Sequence, residues 1–572
     1  MRKWTFISLE LKKEQLLRGA APLCRTFVFL ILASMSAAAS AEALGTLRIS
    51  LVDKVSGIPT PARVEVLDAQ GNGYVAEDAL PVDGECMDRD IPADYTMERA
   101  IAVMSKKFVN PITDIIEFYS VGKSFLFLPP GDYKLTVRKG PEFLVQKRYV
   151  HINADEIVDL EVPMSRWINP SAEGWYSADD HLHIARPVKE VNPFISKWMQ
   201  AEDVHVANLL EWGLVRHFHN ALQYAFGEPG QYREGDYLLA AGQENPRTHF
   251  RGHAIILGGK TPINFPEAYV IYQLFWEEAE RQGALKGYAH FGTWFSADSG
   301  LSVDLPGKLI NFIEVLQFER GIYDVWYDTL NMGFRMTPTA GTDYPCGQSN
   351  IPGRERFYTQ VVGPLTYESW LDGVRKGRTF VTNGPMLDFH INGKGIGDEV
   401  LLKKPGTALL EGRVRFDLNH DDVDHLDVII NGATVKSFPK GSHPGEISFQ
   451  LPYEFTSTSW VALKAVGGMT DEVTRFPPPP PQPGSQAHTA AIYVTIQGAP
   501  PLSAQPAAKL LARKWLAKLE SLEASFADDQ IQKLAGAVDT NDGVDLESLH
   551  KNRAALLKAI QDAKRYFAQM AR

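Results

Sequence analysis

Gly174-Trp175-Tyr176-Ser177-Ala178-Asp179-Asp180-His181-Leu182-His183 combines a strand pattern with two metal-type ligands. In an extended backbone successive side chains alternate sides, so His181 and His183 point the same way and one ion can take both. An isolated H-x-H pair arises often by chance and is weak evidence alone. Its weight depends on what else the chain brings to a strand end.

Four further ligand types stand in such places. Glu244 ends Tyr237-Leu238-Leu239-Ala240-Ala241-Gly242-Gln243, His253 opens Ala254-Ile255-Ile256-Leu257, His290 ends Gly287-Tyr288-Ala289, and Asp343 follows Thr339-Ala340-Gly341-Thr342. In α/β barrels functional groups gather where strands end, so positions far apart in sequence can converge. Imidazole and carboxylate together suit borderline divalent ions: zinc, manganese or iron.

The order H-x-H, Gln243-Glu244 with Gly252-His253, Ala289-His290 and Gly341-Thr342-Asp343 resembles the polymerase and histidinol phosphatase (PHP) superfamily of metal-dependent hydrolases. Its carbaryl-hydrolase-like CehA/McbA branch is the most similar. Gly377-Arg378-Thr379-Phe380-Val381-Thr382-Asn383-Gly384-Pro385 and Ala487-His488-Thr489 support that branch. The resemblance implies a distorted seven-stranded β/α barrel. It makes His181, His183 and Asp343 ligands of one ion, Glu244 a ligand that can bridge, and His290 with His253 candidates for a second. Pro345 stands where the superfamily often has another histidine, and Leu209-Leu210-Glu211-Trp212-Gly213 replaces the usual T-D-H stretch. One or two ions are therefore implied rather than three.

Outside this block the texture changes. Residues 45–165 alternate as strands, as at Leu47, Ile49 and Leu51, and predict an N-terminal β-sandwich. Residues 172–385 alternate short apolar strands with helical stretches at 266–282 and 367–376, the pattern of an α/β layer or barrel. Residues 386–500 return to strands and predict a second sandwich, with the proline run 477–481 as a loop within it. Residues 503–572 are helical, with stripes at Leu511, Trp515, Leu519 and Leu522 and at Leu556, Ile560, Ala563 and Phe567. The predicted fold class is multidomain α/β plus β, a PHP-type barrel flanked by two sandwiches and a helical C-terminal tail. Asp539-Thr540-Asn541-Asp542-Gly543 has its glycine one position too early for a calcium loop.

At the N-terminus, Arg18 and Arg25, the apolar run 27–33 and Ala39-Ser40-Ala41 have the order of a secretory signal, so 1–41 is expected to be removed and the protein to be periplasmic or secreted. The apolar run is shorter than the roughly 20 residues that span a bilayer, and no later segment predicts a membrane span. Removal of Cys24 leaves Cys86 and Cys346, which either pair or stay free. A net charge of -11 gives no basic footprint for a nucleic-acid partner.

Other polar residues carry two readings each. Asp179 and Glu314 are candidates to hold a liganding histidine from behind, or a strand end and a strand edge. Arg251 and His249 are candidate substrate contacts, the former for an anionic group, although lone residues of these types are more often at the surface. His217 and His219 fall in loops near the site, and Trp198, Trp212, Trp276, Trp294 and Trp326 line either a pocket or the core. Asp343 is the candidate general base, or a pure ligand. The expected function is hydrolysis of an ester, carbamate or amide bond in a small-molecule substrate by metal-bound hydroxide. A phosphoesterase of the same superfamily and a secreted binding protein with a structural metal are the alternatives.

Overall fold

The computed structural model describes residues 43–84, 104–110, 113–212, 221–291, 297–318, 320–346, 351–468, 484–527, 530–531 and 546–572. The signal-like segment, Cys86, His217, His219, Trp294, the proline run 477–481 and the stretch 539–543 lie outside them. The chain is mostly β-sheet, in several sheets, with helices between and after them.

A closed barrel positions the site. The strands of it that carry the site are β1 (Trp175–Leu182), β2 (Val206–Trp212), β3 (Tyr237–Thr248), β4 (Gly252–Leu257), β5 (Leu285–Tyr288), β6 (Phe312–Gln317) and β7 (Thr337–Ala340). β1, β2 and β3 pair in parallel, β3–β4–β5 antiparallel, and β5, β6 and β7 again in parallel. β1 is tied to the chain beyond β7 where Leu182 bridges Tyr344 and the His183 N–H donates to the Tyr344 carbonyl at 2.6 Å. β4, β6 and β7 are buried at every position, as strands covered on both faces must be.

Helices α1 (Asn192–Ala201), α2 (Tyr272–Gln282), α3 (Ala297–Asp304) and α4 (Asp324–Asn331) lie in the crossovers, and α5 (Tyr367–Arg375) follows them. α2 shows why such segments cover the barrel. Tyr272, Phe275, Trp276 and Ala279 form one buried stripe at helical spacing, and Gly283 ends the helix in the left-handed conformation (φ 78°) that glycine adopts without strain.

On the N-terminal side, a three-stranded sheet containing Gly45–Asp53 and a five-stranded sheet containing Ala62–Asp68 share one apolar core, including Leu47, Leu51, Val64, Leu126 and Leu135. Their outer strands alternate buried and exposed, as in Lys123–Leu128. On the C-terminal side the barrel sheet does not stop at the glycine-proline turn near residue 385. β8 (Arg356–Gln360) pairs with β1, β9 (Thr379–Thr382) pairs with β8, and β9 pairs with Gln486–Thr489 of the following region. Hydrogen bonding is thus continuous across a break that composition suggests.

The C-terminal helices α6 (Pro506–Ala524) and α7 (Leu546–Met570) bury Trp515, Leu519, Leu556, Ile560, Ala563 and Phe567 in the same apolar core as α2 and α4. Phe526 packs edge-on against Phe250 at 5.6 Å, so the tail supports the turn between β3 and β4. No described helix is long and apolar enough to cross a membrane. Cys346 is disulfide-bonded.

Candidate metal centre

Strand ends bring the ligand types together. His181 Nε2 lies 3.4 Å and His183 Nε2 3.0 Å from Asp343 Oδ1. Glu244 Oε2 lies 3.4 Å from His183 Nε2 and 3.8 Å from His181 Nε2, and Glu244 Oε1 is 3.1 Å from His290 Nε2. Two groups could hold an ion: His181, His183 and Asp343, and His181, Glu244 and His290. His181 is common to both.

The second nitrogen of each histidine is turned outward to a fixed partner. His183 Nδ1 is 3.0 Å from the Leu210 carbonyl, His290 Nδ1 is 2.6 Å from Gln317 Oε1, and His181 Nδ1 is 3.3 Å from Glu314 Oε1. Such acceptors place the ring proton on Nδ1 and leave the Nε2 lone pair facing the cluster, the tautomer a metal ligand needs. Glu314 Oε2 also accepts the His290 N–H at 3.2 Å, tying the two histidines to one carboxylate. Asp179 joins β1 to the chain beyond β7 by accepting from the His181 N–H, from the Thr342 N–H and hydroxyl, and from the Gly353 N–H.

The backbone is shaped for this convergence. Asp343 (φ 56°) and His290 (φ 60°) adopt the left-handed conformation that non-glycine residues rarely take and that clusters at functional sites. Register shifts fall beside Glu244 and Glu314. The shift after Glu314 breaks strict alternation, which lets Glu314 and Gln317 face the same histidine pair. Gly341 is required for packing, since a Cβ there would meet His181 Cβ at 2.5 Å, Asp180 Oδ1 at 2.6 Å and Glu314 Oε1 at 2.6 Å.

The donor set suits a divalent cation. His181 Nε2 and Glu244 Oε2 are buried with no hydrogen-bond partner among the described residues, although both face the cluster. Burial opposes ionisation of Glu244, but Arg247 and His253 hold its pKa well below the ordinary value. Burial likewise opposes ionisation of Asp343, and His181, His183 and His290 lower its pKa. Burial acts against a charged His181, while Glu314 and Asp343 raise its pKa well above the ordinary value. Carboxylates held ionised beside imidazoles favour positive charge at their centre.

The other expected residues divide. His253 Nδ1 is 2.5 Å from Glu244 Oε1, behind that carboxylate and outside both ligand groups; burial, then Arg247, pulls its pKa down to about 3. Arg251, expected to meet substrate, instead is buried and pairs with Asp304 at 2.6 Å, with its guanidinium over Tyr272. Asp304 also accepts from Gln273, Trp276 and Tyr288, so it locks Arg251 into the wall of the barrel. The arginine at the cluster is Arg247, 3.5 Å from Glu244 and stacked over Trp212 at 4.2 Å. His249 is half-buried in the β3–β4 turn. Trp198, Trp276 and Trp326 are core, and Trp212 stands by the cluster with its ring 6.0 Å from that of His183.

Sequence reasoning missed Gln317, the Leu210 carbonyl and Asp304. A backbone carbonyl leaves no sequence signal, and Gln317 is concealed by the register shift. Asp304, at the end of α3, looks like any polar helix residue. No family model and no curated protein matches this chain. Among solved structures, an engineered protein aligns with it at 11% identity over 54% of this chain and 52% of its own, with a TM-score of 0.13.

Proposed function

We propose that this chain is an exported metal-dependent hydrolase of the PHP superfamily, of the CehA/McbA type, that cleaves an ester, carbamate or amide bond. The observation that carries this reading is the orientation of three histidines: each has Nδ1 tied outward, and each turns Nε2 toward Glu244 and Asp343. A purely structural histidine cluster has no need of that shared direction.

His181, His183 and Asp343 would hold one ion, and Glu244 with His290 the other where two are bound; zinc, manganese or iron fits these donors. Bound there, a divalent ion would supply a water acidified toward the neutral range and Lewis acidity at the scissile carbonyl or phosphoryl oxygen. Asp343, whose side chain keeps some exposure (13%), is the carboxylate placed to accept a proton from an incoming nucleophile. Glu314, Gln317 and the Leu210 carbonyl hold the imidazole rings in register so that no reorganisation is needed on binding. Trp212 and Arg247 form a flat, cationic wall beside the cluster against which a substrate can lie.

The phosphoesterase reading draws on Arg247, whose guanidinium suits a phosphoryl oxygen. Elemental analysis of the mature protein, of His181→Ala and of Asp343→Ala, with carboxyl-ester and phosphate-ester chromogenic substrates assayed on all three, tests both. Stoichiometric metal in the wild type, lost with activity in the variants, supports the proposal, and the substrate cleaved chooses between the readings. A wild type that neither carries metal nor takes it up overturns it.

A further inference from the structure

Arg186 is fully buried. Its Nε donates to Gln223 Oε1 at 2.7 Å and its Nη1 to Asn192 Oδ1 at 3.3 Å, both neutral acceptors, and the Tyr224 ring lies 5.3 Å from its Cζ. Nη2 has no hydrogen-bond partner among the described residues. Among the described residues no carboxylate pairs with the guanidinium; Glu211, across Gln223, accepts the Gln223 N–H at 3.2 Å.

Arg356, also fully buried, donates to the main-chain carbonyls of Gly353, Asp203 and Glu202, and three further buried or part-buried arginines meet carboxylates. Arg63 pairs with Glu117 and Glu202, Arg166 with Glu142 and Asp203, and Arg251 with Asp304. A buried cation without a counter-charge costs several kcal/mol, so packing alone favours a neutral residue at position 186. Burial draws the Arg186 pKa down to about 10, opposed only by Tyr224 and Tyr367.

The location gives this cation a use. Arg186 follows His183 by three residues, so their Cα atoms are at most about 11 Å apart at full extension. It leaves β1 at the end of the barrel where His181 and His183 gather. Its backbone is fixed there, its N–H donating to the Leu222 carbonyl at 2.8 Å and its carbonyl accepting from the Tyr224 N–H at 2.7 Å. Arg247 at the cluster already faces Glu244.

We propose that Arg186 supplies the counter-charge for an anionic group of the ligand taken at the neighbouring histidine-carboxylate cluster, a carboxylate or a phosphate presented to its remaining Nη2 donor. Resting on the hydrolase reading, this makes the substrate an anionic ester, carbamate or amide. A planar guanidinium held by two side-chain acceptors is pre-organised for such an oxygen, and a lysine lacks the fork that makes this possible.

The test uses full-length mature protein stripped with a chelator, so that it does not depend on the metal. Thermal melting is followed while sodium acetate or inorganic phosphate is titrated against sodium chloride at constant ionic strength, in wild type, Arg186→Gln and Arg186→Lys. The expected result is a saturable rise of Tm in wild type with at least one of the two anions, the effective anion identifying the group. Apparent Kd should rise at least tenfold in Arg186→Gln and by less in Arg186→Lys. No saturable shift in wild type, an equal shift in Arg186→Gln, or failure of both variants to fold overturns the proposal, the last by making Arg186 a purely structural residue. Saturable anion binding in a protein that takes up no metal would leave the site standing while removing the hydrolase reading, and metal uptake without anion binding would do the reverse.

Discussion

His183 Nε2 stands 3.0 Å from Asp343 Oδ1 across the seam where β1 meets the chain beyond β7. The contact between β1 and the chain beyond β7 and the meeting of these donors thus share the same residues: the His183 N–H donates to the Tyr344 carbonyl beside the side chains of His183 and Asp343. An ion held by His181, His183 and Asp343 would tie β1 to the chain beyond β7.

Binding to the folded chain should thus stabilise it. At a free ion concentration a hundredfold above Kd the gain is about 2.7 kcal/mol. Asp343→Asn should lose most of that gain while its chelator-treated form melts close to chelator-treated wild type. Calorimetry with and without zinc or manganese reads both quantities, and equal metal-dependent stabilisation of the two proteins would count against the ligand assignment.

Glu314 and Gln317 act through the histidines they hold. Glu314→Gln or Gln317→Leu should weaken ion affinity by about 10–100-fold with the fold retained. Competition against a chromogenic chelator measures this; unchanged affinity in both would assign the two side chains to packing alone.

Gly341→Ala forces a methyl group onto His181, Asp180 and Glu314. Overpacking of this kind costs about 1–3 kcal/mol. A shift of the urea midpoint to lower concentration at unchanged slope is expected, and wild-type stability would show that the β7 end can move aside.

Asp304 serves Arg251, Gln273, Trp276 and Tyr288 at once. Asp304→Ala leaves the Arg251 cation buried and unpaired by its carboxylate, at a cost of about 3–5 kcal/mol. Equilibrium unfolding should show that loss, with Asp304→Asn intermediate because it keeps hydrogen-bonding capacity.

Glu142 gives a pH signature. Burial, and then the neighbouring Asp203 carboxylate, push its pKa up to about 8 against the pull of Arg166. The folded chain then keeps a proton that the unfolded chain, with an ordinary value of 4.5, has released. Stability from this group is complete below pH 4.5 and falls as pH rises toward 8. Lys139, drawn down to about 8 from 10.5 by burial, acts in the opposite sense only above that window. Glu142→Gln should flatten the decline between pH 5 and 8 in stability measured by urea unfolding, and an unaltered decline would assign it to other groups.

Much of this was legible from residue order. The alternation of Leu47, Ile49 and Leu51 reappears as buried positions of one strand, and the stripe from Leu556 to Phe567 reappears as the buried face of α7. His181, His183, Glu244, His290 and Asp343, singled out for their places at strand ends, lie within reach of one another. Arg251 and His253 show the limit. Both are polar residues beside the turn after β3, yet one is consumed by Asp304 and the other by Glu244.

The sequence alone therefore determined the local periods and the inventory of ligand types, because neighbouring side chains impose strand alternation and helical stripes directly. Tertiary structure alone decided which ligands meet, which carboxylate holds which ring, and that Arg186 is buried with no counter-charge among the described residues. Those outcomes depend on register shifts beside Glu244 and Glu314 and on the bridge between Leu182 and Tyr344, where segments remote in the chain are paired by hydrogen bonds common to every residue type.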